Sequence, residues 1–326
     1  MKKLSDILYK KMIKALQKVL DGGSIPMPKG DTPPETDEKA NLNVVLWGDP
    51  QISCLSPLRA ARVTAACRDI SAAKGKYDAL VMLGDITEYG AKCEYKMAAH
   101  LINGIADKVG AVFAVSGNHD IRLRFYRAQQ RRFNAFLGSL QGGRCMPGKH
   151  YYFADEVNGY RFLMLGADRT KFEASFLSKA QLAWIDRELS AVPRDKPVFI
   201  FNHQPLKYAN GLPLTWMGFG KWRGSVGLQS NQLREILEKH RNVVYITGHL
   251  HYGISRYAYQ DYGSFHAVSV PTVGVLNHGE NDKLSQGMLM RVYDDRIVFQ
   301  GRVHSEGCDT DSSIVNAHFE IPLKTD

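Results

Sequence analysis

Five short apolar runs, at residues 44–47, 79–83, 111–115, 197–201 and 242–247, each lead within a few residues to a side chain that can bind a metal ion. The first leads to Asp49, the second to Asp85, and the third to Asn118, His119 and Asp120. The fourth leads to His203 and the fifth to His249 and His251. Runs this short and this rich in Val, Ile and Phe read as buried strands. Helical stretches lie between them, at 56–75, 91–110, 180–192 and 230–240. Strand–helix alternation argues for a largely parallel α/β sheet. In such a sheet, ligands bind in the crevice at the carboxyl ends of the strands. Five strand tips meeting there would bring these side chains together from distant parts of the chain. Two further segments read as hairpins, around Asn158-Gly159 and Asp294-Asp295, so a second, mixed or antiparallel sheet is expected to pack on the first.

The chain has 326 residues, of which 44% are hydrophobic and 23% charged. That suffices to bury a core without metal staples, so a metal here is functional rather than structural. Its five cysteines, Cys54, Cys67, Cys93, Cys145 and Cys308, are widely spaced with no Cys-x-x-Cys, as in a reduced, cytoplasmic chain. The formal net charge of +9 favours anionic partners. No apolar run reaches the length of a membrane span.

Residues 1–20 read as a basic amphipathic helix. Leu4, Leu8, Met12, Leu16, Val19 and Leu20 fall on one face, the lysines on the other, and Ile7 is misplaced. The apolar face suits docking on the domain, on a second subunit, or in the plane of a membrane, as a peripheral or oligomer contact through residues 2–20. Residues 21–41, rich in Gly, Pro and acidic side chains, read as a linker, and the main domain as 42–326.

Two aspartates, an asparagine and three histidines provide donors for two metal ions. A mixed oxygen and nitrogen set suits Mn, Fe, Zn, Ni or Co better than Ca or Mg. A pair of such ions sharing a carboxylate suits in-line displacement at phosphorus.

In order, Asp49-Pro50-Gln51, Gly84-Asp85, Gly117-Asn118-His119-Asp120, His203 and Gly248-His249-Leu250-His251 resemble the signature of calcineurin-like metallophosphoesterases. The resemblance runs from about residue 42 to about residue 305, and Gln51 departs from it, since the motif usually carries a histidine there. It implies a four-layer αββα sandwich of two facing mixed sheets, here preceded by the N-terminal helix. It implies that Asp49 and His251 hold one ion, that Asp85 bridges, and that Asn118, His203 and His249 complete the second. Gln51 is expected to coordinate weakly or to hold a water. His119 would assist the leaving group, Asp120 would orient His119, and a metal-bound hydroxide would attack phosphorus.

The expected activity is hydrolysis of a phosphomonoester or small phosphodiester, a nucleotide or cyclic nucleotide among them, using two divalent ions (Mn, Fe or Zn). The alternatives are a phosphoprotein phosphatase, a nuclease, an enzyme of lipid phosphoesters, or a non-catalytic scaffold. Nucleic acid is disfavoured because no long basic stripe with interleaved aromatics is present. Candidate substrate contacts are Arg122 and Arg124, just past the third motif, and Trp216, Trp222 and Arg223 in the Gly- and aromatic-rich stretch after His203.

Overall fold

The computed structural model describes residues 2–123, 125–146, 150–212 and 224–324. Its first sheet contains β1 (Leu42–Trp47), β2 (Tyr77–Met82), β3 (Val109–Ala114), β10 (Gln286–Val292), β11 (Arg296–Val303), β12 (Cys308–Asp309) and β13 (His318–Pro322). The order is β12-β11-β10-β1-β2-β3, with β13 paired to β11. The second contains β4 (Phe153–Val157), β5 (Tyr160–Met164), β6 (Val198–Phe201), β7 (Val243–Thr247), β8 (Tyr259–Asp261) and β9 (Phe265–Ser269), in the order β4-β5-β6-β7-β9-β8. Both sheets are mixed. β1, β2 and β3 run parallel, as do β5, β6, β7 and β9. Both expected hairpins form, β4 with β5 and β10 with β11. Asn158 and Gly159 both have positive φ, as a tight two-residue hairpin turn requires.

Side chains alternate along each strand, and this alternation divides the core. Phe162, Phe199, Phe201 and Ile246 face the first sheet, where the Phe162 ring lies 5.5 Å from that of Phe113. Leu163, Ile200 and Tyr245 face outward onto α6 (Lys179–Ser190) and α7 (Ser230–Leu237). The outer face of the first sheet is covered by α2 (Pro57–Ser71) and α3 (Lys92–Asn103), giving four layers. Between β3 and β4 lie the short α4 (Asn118–Ile121) and α5 (Tyr126–Leu137).

The N-terminal helix, α1 (Lys2–Asp21), packs on α2 and α3. Met12 and Leu16 are buried in the main core, with Tyr9, Ile13, Val19 and Leu20 packed beside them. The docked face is therefore rotated from the one expected, and Leu4 and Leu8 are exposed along with Ile7. Residues 22–41 form no helix or strand, yet they are not a free linker. Ile25 is buried, Thr32 O accepts a bond from Arg302 Nη2 at 2.6 Å, and Asp37 N donates to Asn43 Oδ1 at 3.0 Å.

One buried network sets the end of β1. Trp47 Nε1 donates to His304 Nε2 at 3.0 Å, and His304 Nδ1 donates to Asp69 Oδ2 at 2.8 Å. Arg302 grips the same carboxylate with Nε at 2.9 Å and Nη2 at 2.7 Å. Burial would raise the pKa of Asp69, but Arg302 and His304 outweigh it and hold the carboxyl below its ordinary range. Its contribution to stability is complete above the unfolded value of about 3.8 and is lost as pH falls through and below it. Asp69→Ala strips the buried Arg302 guanidinium of the carboxylate that grips it twice, leaving it only Asp309, and leaves His304 Nδ1 without its acceptor. It should cost about 3–5 kcal/mol in urea unfolding at neutral pH, with a smaller deficit below pH ~4. A deficit that is negligible or independent of pH would contradict this account of the network.

Candidate metal centre

Each ligand candidate stands two to four residues past a strand, where the backbone must turn at once to aim a side chain between the sheets. Asp49, Gln51, Asp85, His249 and His251 have φ of 44°, 40°, 47°, 72° and 55°. Non-glycine residues rarely adopt such values, and the strain persists only where surrounding structure enforces it. Two motif glycines have a steric reason. A Cβ on Gly84, which has φ +86°, would lie 2.6 Å from His203 Nδ1, and one on Gly117 would lie 2.1 Å from Asp85 Oδ1.

His203 is the hub. Its Nδ1 donates to Leu83 O at 2.7 Å, which leaves Nε2 as the ligand atom. That Nε2 lies 3.0 Å from Asn118 Oδ1, 3.0 Å from His249 Nδ1, 3.2 Å from Asp85 Oδ2 and 3.9 Å from Asp49 Oδ1. His251 Nε2 lies 3.1 Å from Asp49 Oδ1. Ligand atoms of Asp85, His203 and His249 all fall within 4.8 Å of one another. Lone pairs gathered this closely repel unless a cation joins them. Among the described residues, no Lys or Arg pairs with Asp49 or Asp85, so the donor set fits bound metal. A proton can substitute in part. Burial pulls the pKa of His203 down, yet Asp85 and Asp49 outweigh it and hold the ring up at about 9. The Asp85 carboxyl is held well below its usual range, since His203 and His119 outweigh its burial.

The surrounding residues aim these ligands. Asn118 Nδ2 donates to Glu173 Oε2 at 2.8 Å, which turns Oδ1 toward His203. His119 N donates to Asp85 Oδ1 at 2.8 Å, and His249 N donates to Asp49 Oδ2 at 2.9 Å.

His119 lies beside the cluster, with Nε2 3.9 Å from Asp85 Oδ2. Asp120 does not orient it. That carboxylate accepts from the backbone of Ile86, Thr87 and Gly117, the Thr87 hydroxyl and the Tyr95 hydroxyl, and so ties the tip of β2 to the tip of β3. Five donors occupy its two oxygens. Glu88 takes the place expected of Asp120, with its Oε1 at 3.2 Å and its backbone oxygen at 3.1 Å from His119 Nδ1. Arg122 Nη2 lies 2.8 Å from the same nitrogen, so acceptors and a donor compete there. Charge decides the outcome. Burial lowers the pKa of His119, but Asp85 and Glu88 outweigh it and raise it, which favours the charged ring. Glu88 is itself pulled down to about 2, because His119 and Arg59 outweigh its burial.

Gln51 Nε2 donates to Glu88 Oε2 at 2.8 Å and lies 3.2 Å from both His119 ring nitrogens. Its Oε1 is buried and accepts no hydrogen bond. The amide is thereby turned so that its oxygen is the atom left for a ligand. Arg122 also donates to Glu173 Oε1 at 2.8 Å, so it is braced beside His119. Arg124, Trp216, Trp222 and Arg223 lie outside the described residues. Glu88, Glu173 and Arg59 escaped the sequence reading. Glu88 had a weak signal, three residues past Asp85, whereas Glu173 lies 55 residues from the asparagine it holds and had none.

The sequence profile of the calcineurin-like phosphoesterases matches residues 42–253. The chain is 24% identical over 177 residues to a protein of Escherichia coli (strain K12) named 3',5'-cyclic adenosine monophosphate phosphodiesterase CpdA, covering 54% of this chain and 55% of that one. It is 22% identical over 189 residues to a 3',5'-cyclic-nucleotide phosphodiesterase of Nostoc sp., covering 57% and 60%. The match thus spans little more than half the length of these curated relatives. Among solved structures, a dimetal phosphatase from Danio rerio superposes with a TM-score of 0.60 at 16% identity, covering 87% of this chain and 100% of that one. A purple acid phosphatase from yellow lupin seeds superposes at 0.59 and 15%, covering 86% and 53%. At these identities the likeness establishes the fold.

Gln51→His replaces the neutral amide oxygen with an imidazole. It should tighten one bound Mn ion by about tenfold or more in calorimetric titration. Equal stoichiometry and affinity in the two proteins would contradict a ligand role at this position.

Proposed function

Because the chain belongs to the calcineurin-like phosphoesterase family, we propose that it hydrolyses a phosphomonoester or small phosphodiester, with a cyclic nucleotide as the favoured diester. The observation that carries this reading is the ring of lone-pair donors around His203 Nε2, with His119 Nε2 beside it at 3.9 Å from Asp85 Oδ2. The names of the curated relatives support the cyclic nucleotide.

In this reading Asp49 and His251 would hold one divalent ion, Asn118, His203 and His249 would hold the other, and Asp85 would serve both. Gln51 Oε1 stands ready as a further, weaker donor. The ions are Mn, Fe or Zn, and when bound they supply Lewis acidity and lower the pKa of water toward neutrality. His119 gives a proton from Nε2 to the leaving-group oxygen. Glu88 favours the charged form of that imidazole and fixes its direction. Arg122, braced by Glu173, sets a positive charge beside His119 for the phosphoryl oxygens. The cysteines are unpaired, which fits a reducing compartment, and we place the protein in the cytoplasm.

With Mn supplied, purified protein should hydrolyse bis-p-nitrophenyl phosphate and cyclic AMP. Asp85→Asn and His119→Ala should each lower kcat at least about a hundredfold. Glu88→Gln removes an interaction that raises the His119 pKa. The acid would then deprotonate sooner, and the alkaline limb of the kcat profile should move to lower pH. A wild-type rate for His119→Ala, or an unmoved limb for Glu88→Gln, would refute these roles. Faster turnover of phosphopeptides or DNA than of any small ester would refute the substrate class.

A further inference from the structure

Large exposed apolar side chains gather at the end of the molecule that carries the metal centre. Leu55 follows the Asp49–Gln51 turn and is 77% exposed, while Leu123 and Phe125 follow α4, with Phe125 at 91%. Phe172 is exposed too, although its φ of 57° is strained for a bulky residue. The Arg122 guanidinium lies 5.3 Å from its ring centroid. Contacts join these segments into one region. Cys54 N donates to Glu94 Oε1 in the first turn of α3, and α5 packs on α3 just past Phe125. α1 runs parallel to α3, with Asp6 paired to Lys96 and Tyr9 edge-on to His100. Its first two turns, with Ile7 and Leu8 exposed, therefore point toward the same end.

Exposed cations are interleaved with these side chains, namely Lys10, Lys92, Arg127, Arg169 and Lys171. A groove of about 1000 Å³ between α1, α3 and α5 repeats the pairing, with Lys10, Lys92 and Arg131 among its walls and Tyr9, Tyr95 and Phe136 giving it apolar surface. Asp6, the carboxylate in that lining among the described residues, is already paired with Lys96.

Scattered exposed apolar residues need no explanation, but a cluster does. Apolar groups that can insert at the headgroup boundary, flanked by Lys and Arg, match an anionic lipid surface in both hydrophobicity and charge. We propose that this end docks peripherally on an anionic bilayer, seating the side chains of Leu55, Leu123, Phe125 and Phe172 among the lipids. Neither attraction suffices alone, so binding needs both the apolar anchors and the negative surface. The metal centre would then open toward the headgroups. Docking stands on the exposed surface and not on the catalytic reading, so either can fail without the other.

Flotation with vesicles tests it. The full chain should float with phosphatidylcholine vesicles that contain about 30% phosphatidylglycerol and stay behind with phosphatidylcholine alone. Salt at about 0.5 M should release it. Leu55→Ser with Phe125→Ser should cut the bound fraction about tenfold or more. Phe125 caps α5, where serine is favoured, so the fold should tolerate the change. Unchanged hydrolysis of bis-p-nitrophenyl phosphate in solution would show that the double variant is folded. Failure of the wild type to float with anionic vesicles, or equal flotation of the double variant, would overturn the proposal. A vesicle-indifferent dimer that the double variant dissolves would overturn it in favour of a second copy on this face.

Discussion

Four Lewis-basic atoms crowd the Nε2 of His203 in a fully buried site. That crowding is the constraint around which the rest of the chain is arranged. Without a cation the cluster is repulsive, and a buried proton on His203 is the nearest substitute. With one, every ligand gains a partner and the desolvation of Asp49 and Asp85 is offset by coordination. Metal binding and the local fold are therefore linked, because the strained turns at Asp49, Asp85, His249 and His251 favour the arrangement that the ion rewards.

The surrounding structure keeps those turns from relaxing. Asp120 holds the tips of β2 and β3 together through five donors and contributes geometry rather than chemistry. The Asp69 network reaches through His304 to Trp47, two residues before Asp49, and so anchors the end of β1 from the far side of the sheet. Glu173 turns one amide and braces one guanidinium with its two oxygens. These buried polar groups are each satisfied by the others, which lets them specify position at small net cost.

The sequence made the ligands legible because a strand tip carrying Asp, Asn or His is a local signal, repeated five times in order. The strands were legible for the same reason, through Val- and Ile-rich runs and an Asn-Gly turn, but not their division: the five runs split between the two sheets, and the hairpin at Asp294-Asp295 joins the first sheet beside β1. What stayed hidden depends on long-range contact. Glu88 and Glu173 look like ordinary surface acids until the fold sets them against His119 and Asn118. Asp120 looked catalytic because it follows His119, yet one step along a helical turn sends its carboxylate away from that ring, to Thr87, Tyr95 and the backbone of Ile86 and Gly117. On α1 the wheel identified an apolar stripe but not which part of it α2 and α3 would cover. Met12 and Leu16 were buried, and Leu4 and Leu8 were left outside.

The account brings the candidate ligands, His119 and the exposed apolar side chains together at the strand tips. Its central claim concerns the ions, and anomalous diffraction from crystals grown with Mn tests that claim most directly. The account predicts two Mn sites that share Asp85, one completed by Asp49 and His251 and the other by Asn118, His203 and His249. No ordered ion, or a single ion bound without Asp85, would contradict it.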